Sequence, residues 1–452
     1  MSAIVERAGA GAGVDVDVDV AIVGGGLAGL TAATFLARAG RTVILYEKSR
    51  ELGGRARTSE RDGFTLNFGP HALYRGGAAA PILRELGVRW QGKPPLQVGY
   101  GFAEGRLQPL PTGLRSFLTT KLLSAGAKRE LIALLPRLLR LDTQSLHGVT
   151  LRRWLDRTIR HEELRQLVLM LVRTTTYAAD CDRLSAGAAL VQTKLGLVGN
   201  VDYIDGGWCV LVDGLRDAAQ AAGVRIVADT RVVGVNREVG SGAVRGVRLD
   251  DGAVIDAGAV IIAADPATAA GLLDSAEQNA LDDWAARLIP VEMACLDLGL
   301  SALPDPTANL AFGIDRPLYL SVHSAVAKLA PTGGAVIHVG KYLRADEPTA
   351  PEADLRELEG LLDLVQPGWR ERVAARIFLP RMIVTNALVT AESGGLAGRP
   401  GPAVPGIPGL YVAGEWVGQA GMLTDAALAS AKLAAETILA TAAVRSTGLV
   451  GI

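Results

Sequence analysis

The sequence predicts a mixed α/β fold in which a discontinuous, Rossmann-type nucleotide-binding domain alternates along the chain with a second domain of mostly antiparallel sheet bearing a helical insertion. Three observations predict it. A β-branched run, Val20 to Val23, ends in Gly24-x-Gly26-x-x-Gly29 and passes into small and apolar residues at helical spacing (Leu30, Ala33, Thr34, Ala37) that stop at Gly40. A second run, Val43 to Tyr46, ends on Glu47, about 20 residues after Gly26. Near the far end, Leu410-Tyr411-Val412-Ala413-Gly414-Glu415-Trp416 reads as a strand and turn, and Met422 opens another helix.

Each glycine in the first motif has a physical task. Gly24 permits the turn, Gly26 lets backbone N–H groups approach a pyrophosphate, and Gly29 lets the helix lie close to the strand. The N–H groups of Leu27 and Ala28 then stand at the positive end of the helix dipole, where phosphate binds. Glu47 lies where an acidic side chain reaches ribose hydroxyls.

The following stretch is Lys48-Ser49-Arg50-Glu51-Leu52-Gly53-Gly54-Arg55, and after it comes Phe64-Thr65-Leu66-Asn67-Phe68-Gly69-Pro70-His71. With these residues the chain resembles the flavoprotein superfamily of monoamine oxidases, protoporphyrinogen oxidases, phytoene desaturases and carotene isomerases, closest in character to the phytoene-desaturase-like oxidoreductases. The resemblance implies FAD, with Glu47, Lys48, Gly53, Gly54 and Arg55 around its nucleotide half and Phe68, Gly69, Pro70 and His71 beside the isoalloxazine. It further implies that Val232 meets adenine. The closing segment, Gly414-Glu415 and Gly421-Met422-Leu423, is similar to the superfamily's last motif, a strand, an acidic turn and a helix whose N-terminus faces the flavin. Unpaired N–H groups there stabilise the negative charge of reduced flavin. No cysteine falls in this segment, so the resemblance implies noncovalent FAD.

The 452 residues, 49% hydrophobic with a formal net charge of −1, suffice for two cores and give no reason to expect nucleic acid as a partner. Cys181, Cys209 and Cys295 have no CxxC spacing, and the five histidines show no ligand spacing, so neither a disulfide framework nor a metal site is expected. No signal peptide and no uninterrupted apolar run of about 20 residues is present, which reads as a cytoplasmic protein with a candidate membrane-surface contact. Residues 1–15, and the Val-Asp alternation up to Asp19, read as a disordered lead-in.

Taken in order, residues 16–77, 205–270 and 400–442 form the FAD-binding domain, and 78–204 and 271–399 the substrate domain. A hairpin with its turn at Glu104-Gly105 lies between Val98 and Pro111. Residues 112–142 are basic and amphipathic, with leucines alternating with Arg115, Lys121, Lys128, Arg129, Arg137 and Arg140, a composition suited either to a lipid headgroup layer or to a solvated helix face. Further helices to Leu197 bring Arg173, Tyr177 and Lys194 as candidate cavity residues. Strands at Val291–Leu300, Leu318–Val322 and Val373–Ile383 then flank a helix from Glu352 to Val365. No second glycine-rich dinucleotide unit follows, which points to oxygen, a quinone or another carrier as electron acceptor rather than a nicotinamide.

Flavin chemistry needs an oriented C–H or N–H bond and a dry chamber rather than a protein nucleophile. His71, directly after the turn beside the ring, is a candidate proton shuttle. Lys341, after the strand ending Val339-Gly340, is a candidate for the lysine that amine oxidases of the superfamily keep near N5. The loop Trp416 to Met422 holds one aromatic residue, which argues against an amine cage. The reading is therefore an FAD-dependent oxidoreductase of the desaturase or oxidase type acting on a hydrophobic isoprenoid, carotenoid-like or polycyclic molecule by hydride transfer to N5. Amine oxidation and redox-neutral isomerisation with reduced FAD are the alternatives within the superfamily. A non-enzymatic lipid binder is the reading from another class, since the resemblance extends to GDP-dissociation inhibitors, which share the fold without flavin; the intact Gly53-Gly54-Arg55 and Gly414-Glu415 segments argue against it.

Overall fold

In the computed structural model, residues 18–96, 99–273, 279–348 and 350–448 are described. Three distant stretches of chain build one seven-stranded sheet. Arg225–Val227, Val43–Tyr46, Val18–Val23, Val254–Ile262 and Leu410–Val412 associate in parallel, and Val244–Leu249 and Val232–Arg237 continue the sheet antiparallel from Val254–Ile262. The parallel strands are apolar and buried on both faces, because helices cover both sides. One cover is the helix Leu27–Arg38, which packs against the helices Cys209–Ala221 and Leu423–Gly448.

The lead-in expected to run to Asp19 is shorter than that. The strand starts at Val18, and the Asp19 carboxylate accepts the Thr42 N–H at 2.8 Å and its hydroxyl at 2.9 Å; residues 1–15 lie outside the described part.

The second sheet runs in the order Val373–Thr385, Val291–Leu300, Ala335–Leu343, Leu318–Val322, Leu310–Gly313, Tyr100–Ala103, Arg106–Pro109. The early hairpin thus becomes the edge of a sheet whose remaining strands lie some 200 residues on. Its turn has positive φ at both Glu104 (50°) and Gly105 (74°), the conformation that matches strand twist in a two-residue hairpin. Within Ala335–Leu343 the period of two sorts the side chains onto two faces. Val339 faces the helix Pro351–Val365 with Leu358, Leu361 and Leu362, and so does Lys341, whereas His338 and Tyr342 face the opposite way, toward the nucleotide domain.

The basic segment is two helices, Leu114–Thr119 and Ala125–Leu139, the second capped by the Ser124 hydroxyl accepting Ala127 N–H. Leu122, Leu123 and Leu134 are buried, while Leu114, Leu118, Ile132 and Leu135 are exposed. Among the described residues one helix, Leu423–Ala443, is long and apolar enough to cross a membrane. One face of it packs into the protein core through Ala426, Leu428, Ala431, Ala434 and Ala435, while Leu433 on the other face is exposed.

Candidate functional site

The glycine turn behaves as its spacing requires. At Gly24 (φ 109°) a Cβ would fall 2.5 Å from the Ala263 carbonyl oxygen, and at Gly29 it would fall 1.9 Å from the Gly24 carbonyl oxygen, so neither position accepts a side chain. Gly26 differs. A Cβ there would meet nothing closer than Gly53 O at 4.0 Å, and this open side is where a ligand has room. Gly26 caps the helix without a side-chain hydrogen bond, which leaves the N–H groups of Leu27, Ala28 and Gly29 for an anion.

The second glycine pair closes on the first. Gly26 and Gly53 form an isolated parallel bridge, Gly53 N–H donates to Gly25 O at 2.8 Å, and Gly54 is exposed beside Gly26. Gly53 (φ 106°) and Gly54 (φ 55°) both occupy the left-handed region that a side chain disfavours. Glu47 is buried beneath this contact, where one carboxylate oxygen accepts Gly25 N–H at 2.7 Å and the other accepts Ser49 N–H at 2.9 Å. Glu47 therefore holds the cradle's shape, with lone pairs left for ribose, while Lys48 beside it is exposed.

Arg55 joins the third segment to the first two. Its Nη2 donates to the buried Glu415 carboxylate at 2.5 Å, and the other Glu415 oxygen accepts the Asn386 backbone N–H at 2.9 Å and its amide at 2.6 Å. Burial works to raise the Glu415 pKa, yet the Arg55 charge and these hydrogen bonds hold it below the ordinary value. Both Glu415 oxygens are thus engaged by protein, and its part in the cradle is to fix Arg55. Arg399, which the sequence reading did not single out, donates from Nη1 to Glu415 O at 2.8 Å and from Nη2 to Gly421 O at 2.6 Å. It staples the two ends of the loop that delivers Met422 and Leu423. Gly421 (φ 66°) and Leu423 (φ 54°) take left-handed conformations there, and Gly414 (φ 155°) starts the turn with its N–H donated to the Ser430 hydroxyl at 3.0 Å.

The turn expected beside the ring, Phe68-Gly69-Pro70, is strained, with Phe68 at φ 54° and Gly69 at φ 98°. A rigid post holds it. Gly69 N–H donates at 2.6 Å to Asp297, a fully buried carboxylate on the strand Val291–Leu300, whose other oxygen pairs with His338 Nδ1 at 2.7 Å. Asp297 was also outside the sequence reading, although an acid inside the apolar run Val291–Leu300 is a signal of a buried polar role.

His71 has a ring nitrogen 3.0 Å from Gly69 O and the other 3.2 Å from Arg55 O, so its ring bridges the two turns and packs on Trp208 with centroids 4.9 Å apart. Neutral imidazole has one N–H and satisfies one carbonyl at a time. Desolvation pushes its pKa below the ordinary value, the Gly69 hydrogen bond opposes this, and His338 adds to the lowering. Val232 is buried in the core cluster that contains Val23 and Tyr46, the strand ends that lead into Gly24 and Glu47.

Lys341 requires a correction. Its ammonium donates to Asp354 at 2.7 Å and Glu357 at 2.9 Å on the helix-covered face of the sheet, away from Gly69 and His71. Burial works against its charge, but those two carboxylates raise its pKa, so it is a paired structural cation rather than the holder of a water at the ring. A one-residue difference in strand phase is the reason.

These residues fit a dinucleotide with a flat ring: a helix N-terminus left uncapped, two glycine turns in contact, an arginine aimed along them and a strained turn at the far end. A sequence model of the family described as flavin containing amine oxidoreductase matches residues 27–291. The chain belongs to that family. FAD is accordingly the cofactor. A 4,4'-diapophytoene desaturase (4,4'-diaponeurosporene-forming) from Staphylococcus haemolyticus is 26% identical over 241 residues, which is 46% of this chain and 47% of that protein. The chain thus matches about half the length of this curated relative. An oxidoreductase from Methanosarcina mazei superposes with a TM-score of 0.72 at 20% identity, covering 93% of this chain and 99% of that one. A putrescine oxidase bound to putrescine superposes with a TM-score of 0.73 at 16% identity, covering 94% and 99%. At these identities the likeness is one of fold.

Proposed function

We propose that this protein is an FAD-dependent oxidoreductase that dehydrogenates a hydrophobic small molecule of isoprenoid or polycyclic type, with oxygen, a quinone or another carrier as final electron acceptor. The observation that carries the reading is the junction of Gly26, Gly53, Arg55, Glu415, Arg399 and Gly421, which ties three distant segments into one cradle next to a cluster of apolar side chains. That cluster includes Trp154, Leu167, Met170, Cys295, Phe312 and Met382.

When bound, FAD supplies a two-electron acceptor at N5. The chain's own groups do the rest. Leu27, Ala28 and Gly29 N–H groups hold pyrophosphate, and Arg55 is fixed by Glu415 for the same anion. Asp297 pins the turn that sets the ring's position. His71, neutral at physiological pH because of its desolvation, offers one N–H near that turn and adds no positive charge to an apolar chamber. The exposed leucines and basic residues of Leu114–Thr119 and Ala125–Leu139 support docking on a lipid surface, from which such a substrate would come.

The test has two parts. Purified protein carries one FAD per chain and loses it on Glu47→Ala or Gly26→Val, and anaerobic incubation with an acyclic isoprenoid polyene bleaches the flavin while an aliphatic diamine does not. Colourless wild-type protein, or bleaching by the diamine alone, would overturn the reading.

A further inference from the structure

Asp297 is tied to the turn at Gly69, yet no permanent cation balances its charge. The buried carboxylates Asp180, Asp202, Asp354 and Glu415 each pair with an arginine or a lysine. Asp297 has His338 as its one ion-pair partner among the described residues, and both side chains are fully buried. With the imidazole neutral, the pair keeps a net negative charge in a dry interior, and one proton on the ring makes it neutral overall. The two groups titrate as a unit. There is a place for that proton: Nδ1–H donates to Asp297 at 2.7 Å, and Nε2 is a buried lone pair without a partner among the described residues. An unpartnered atom alone says little, since Gln192 and Trp208 leave one too. Here it sits on the titratable partner of an uncompensated buried charge.

The register of the second sheet lines up a route to the pair. Asp297, His338 and Ser321 are direct neighbours across Val291–Leu300, Ala335–Leu343 and Leu318–Val322. The His338 and His323 rings meet edge to face with centroids 4.4 Å apart, and His323 Nε2 lies 3.5 Å from the Tyr319 hydroxyl. The Tyr203 hydroxyl stands 3.2 Å from that of Tyr319 and 3.1 Å from Ser321 Oγ, while its ring stacks on His323 at 3.7 Å. Tyr203 and Ser321 line a small cavity together with Asn309, Val322 and Ala325, the last of which is exposed. A row of proton-bearing groups thus joins the surface to the post beneath the turn. The neighbours of the pair do not hold charge themselves. Burial pushes His323 well below its ordinary pKa, with His338 and His71 adding to the lowering, and burial likewise lowers His71. Burial raises the Cys295 thiol, with Asp297 adding to it, and raises the Tyr203 and Tyr319 hydroxyls.

We propose that the Asp297–His338 pair takes up one proton from solvent, by way of Ser321, Tyr203, Tyr319 and His323, when the bound flavin is reduced, and returns it on reoxidation. This rests on the flavin-dependent reading, which puts the turn at Gly69 beside the ring, and adds to it how the chain offsets the charge of reduction. Reduced flavin brings negative charge to a turn whose Gly69 N–H is already held by a carboxylate, and two like charges in a poorly solvated region favour a proton on one of them. Atoms and electrons balance: the substrate gives a hydride to the flavin and a proton to solvent as its double bond forms, and one solvent proton converts the imidazole to imidazolium. His338 is a positioning residue, fully buried and acting through Asp297 and the turn.

The experiment uses holoenzyme. Midpoint potentials of the bound flavin are measured anaerobically from about pH 6 to about pH 9, and their slope gives the protons taken up per two electrons. Wild type is expected to exceed one proton and approach about two within that range. The absorbance of the reduced flavin reports whether the flavin itself gained the second proton. His338→Asn keeps an N–H for Asp297 but has no titratable ring, so FAD is retained and uptake falls to about one proton. A merely structural role for His338 would leave the slope of that variant as in wild type. Three results would overturn the inference: one proton throughout in wild type, a second proton located on the flavin, or a second proton that persists in His338→Asn, as it would if Asp425 or His71 took it. Should that variant not fold, Tyr203→Phe decides. Loss of the hydroxyl between Tyr319 and Ser321 is expected to slow proton uptake after rapid reduction, followed with a pH-indicator dye, by about tenfold or more at unchanged stoichiometry. An unchanged rate there would equally reject the proposal. Protein that binds no FAD would reject the flavin reading and this inference with it, whereas flavin-loaded protein with a one-proton slope rejects this inference alone.

Discussion

The glycine cradle and the Asp297 post do the same work, fixing a backbone where the cofactor must lie, but they do it by opposite means. In the cradle the constraint is local. Gly24 and Gly53 are required by the positive φ of their own turns, and Gly29 because a Cβ would meet the Gly24 carbonyl five residues back, even though Ala263 and Val212 also crowd the first two. At Phe68-Gly69 the constraint is remote: Asp297, 228 residues away in sequence, supplies the acceptor that keeps the strained turn in place. Local backbone constraints leave a spacing signature, and long-range hydrogen bonds leave only an acid in an apolar strand.

Substitutions within the cradle separate two kinds of glycine and carry the largest expected effects. Gly29→Val places side-chain atoms against the Gly24 carbonyl and is expected to unfold the nucleotide domain, seen as loss of the cooperative thermal transition of the apoprotein. Gly26→Val has open space on the protein side and an ordinary φ of −77°, so the apoprotein melts within about 2 °C of wild type. FAD retention is nevertheless abolished. Equal damage to apoprotein stability from both changes would erase the distinction between packing glycines and ligand-facing glycines.

The remote constraint is next in size. Asp297→Ala leaves Gly69 N–H and His338 Nδ1 buried without partners, at a cost of about 2–4 kcal/mol in apoprotein unfolding free energy by denaturant titration. Asp297→Asn keeps an acceptor for Gly69 and is expected to recover at least half of that loss. A variant pair of equal stability would show that the turn is held by its own sequence after all.

Asp425, in the first turn of the closing helix, sharpens the comparison through pH. One of its oxygens accepts Ala79 N–H at 2.8 Å, the other has no partner among the described residues, and burial raises its pKa from 3.8 to about 6. The folded state therefore binds a proton more tightly than the unfolded state. The stability this confers is complete below about pH 4 and is lost as pH rises through about 6. At pH 7.5 the ionised group costs about 2–3 kcal/mol, so Asp425→Asn should raise the melting temperature by a few degrees there and by nothing measurable at pH 4. A gain that is independent of pH would refute the titration.

The smallest expected effect concerns Lys341. Lys341→Gln unpairs Asp354 and Glu357 and costs about 1–2 kcal/mol of stability. The rate of anaerobic flavin bleaching should stay within about twofold of wild type. A fall of a hundredfold would restore the lysine to the chemistry, against its position behind the sheet.

By itself the sequence determined the strand–turn–helix start, the acid at Glu47, the glycine pair at Gly53-Gly54, the closing turn, and most strands of the second sheet, because each depends on residues close together in the chain or on a simple alternation of apolar side chains. Only the tertiary structure decided that Glu415 serves Arg55, that Arg399 staples the last loop, and that Lys341 turns away while His338 turns inward. Those outcomes depend on strand phase and on which buried donors and acceptors meet across some hundreds of residues. Hydrogen bonds and burial act through space at a few ångströms, whatever the distance along the chain.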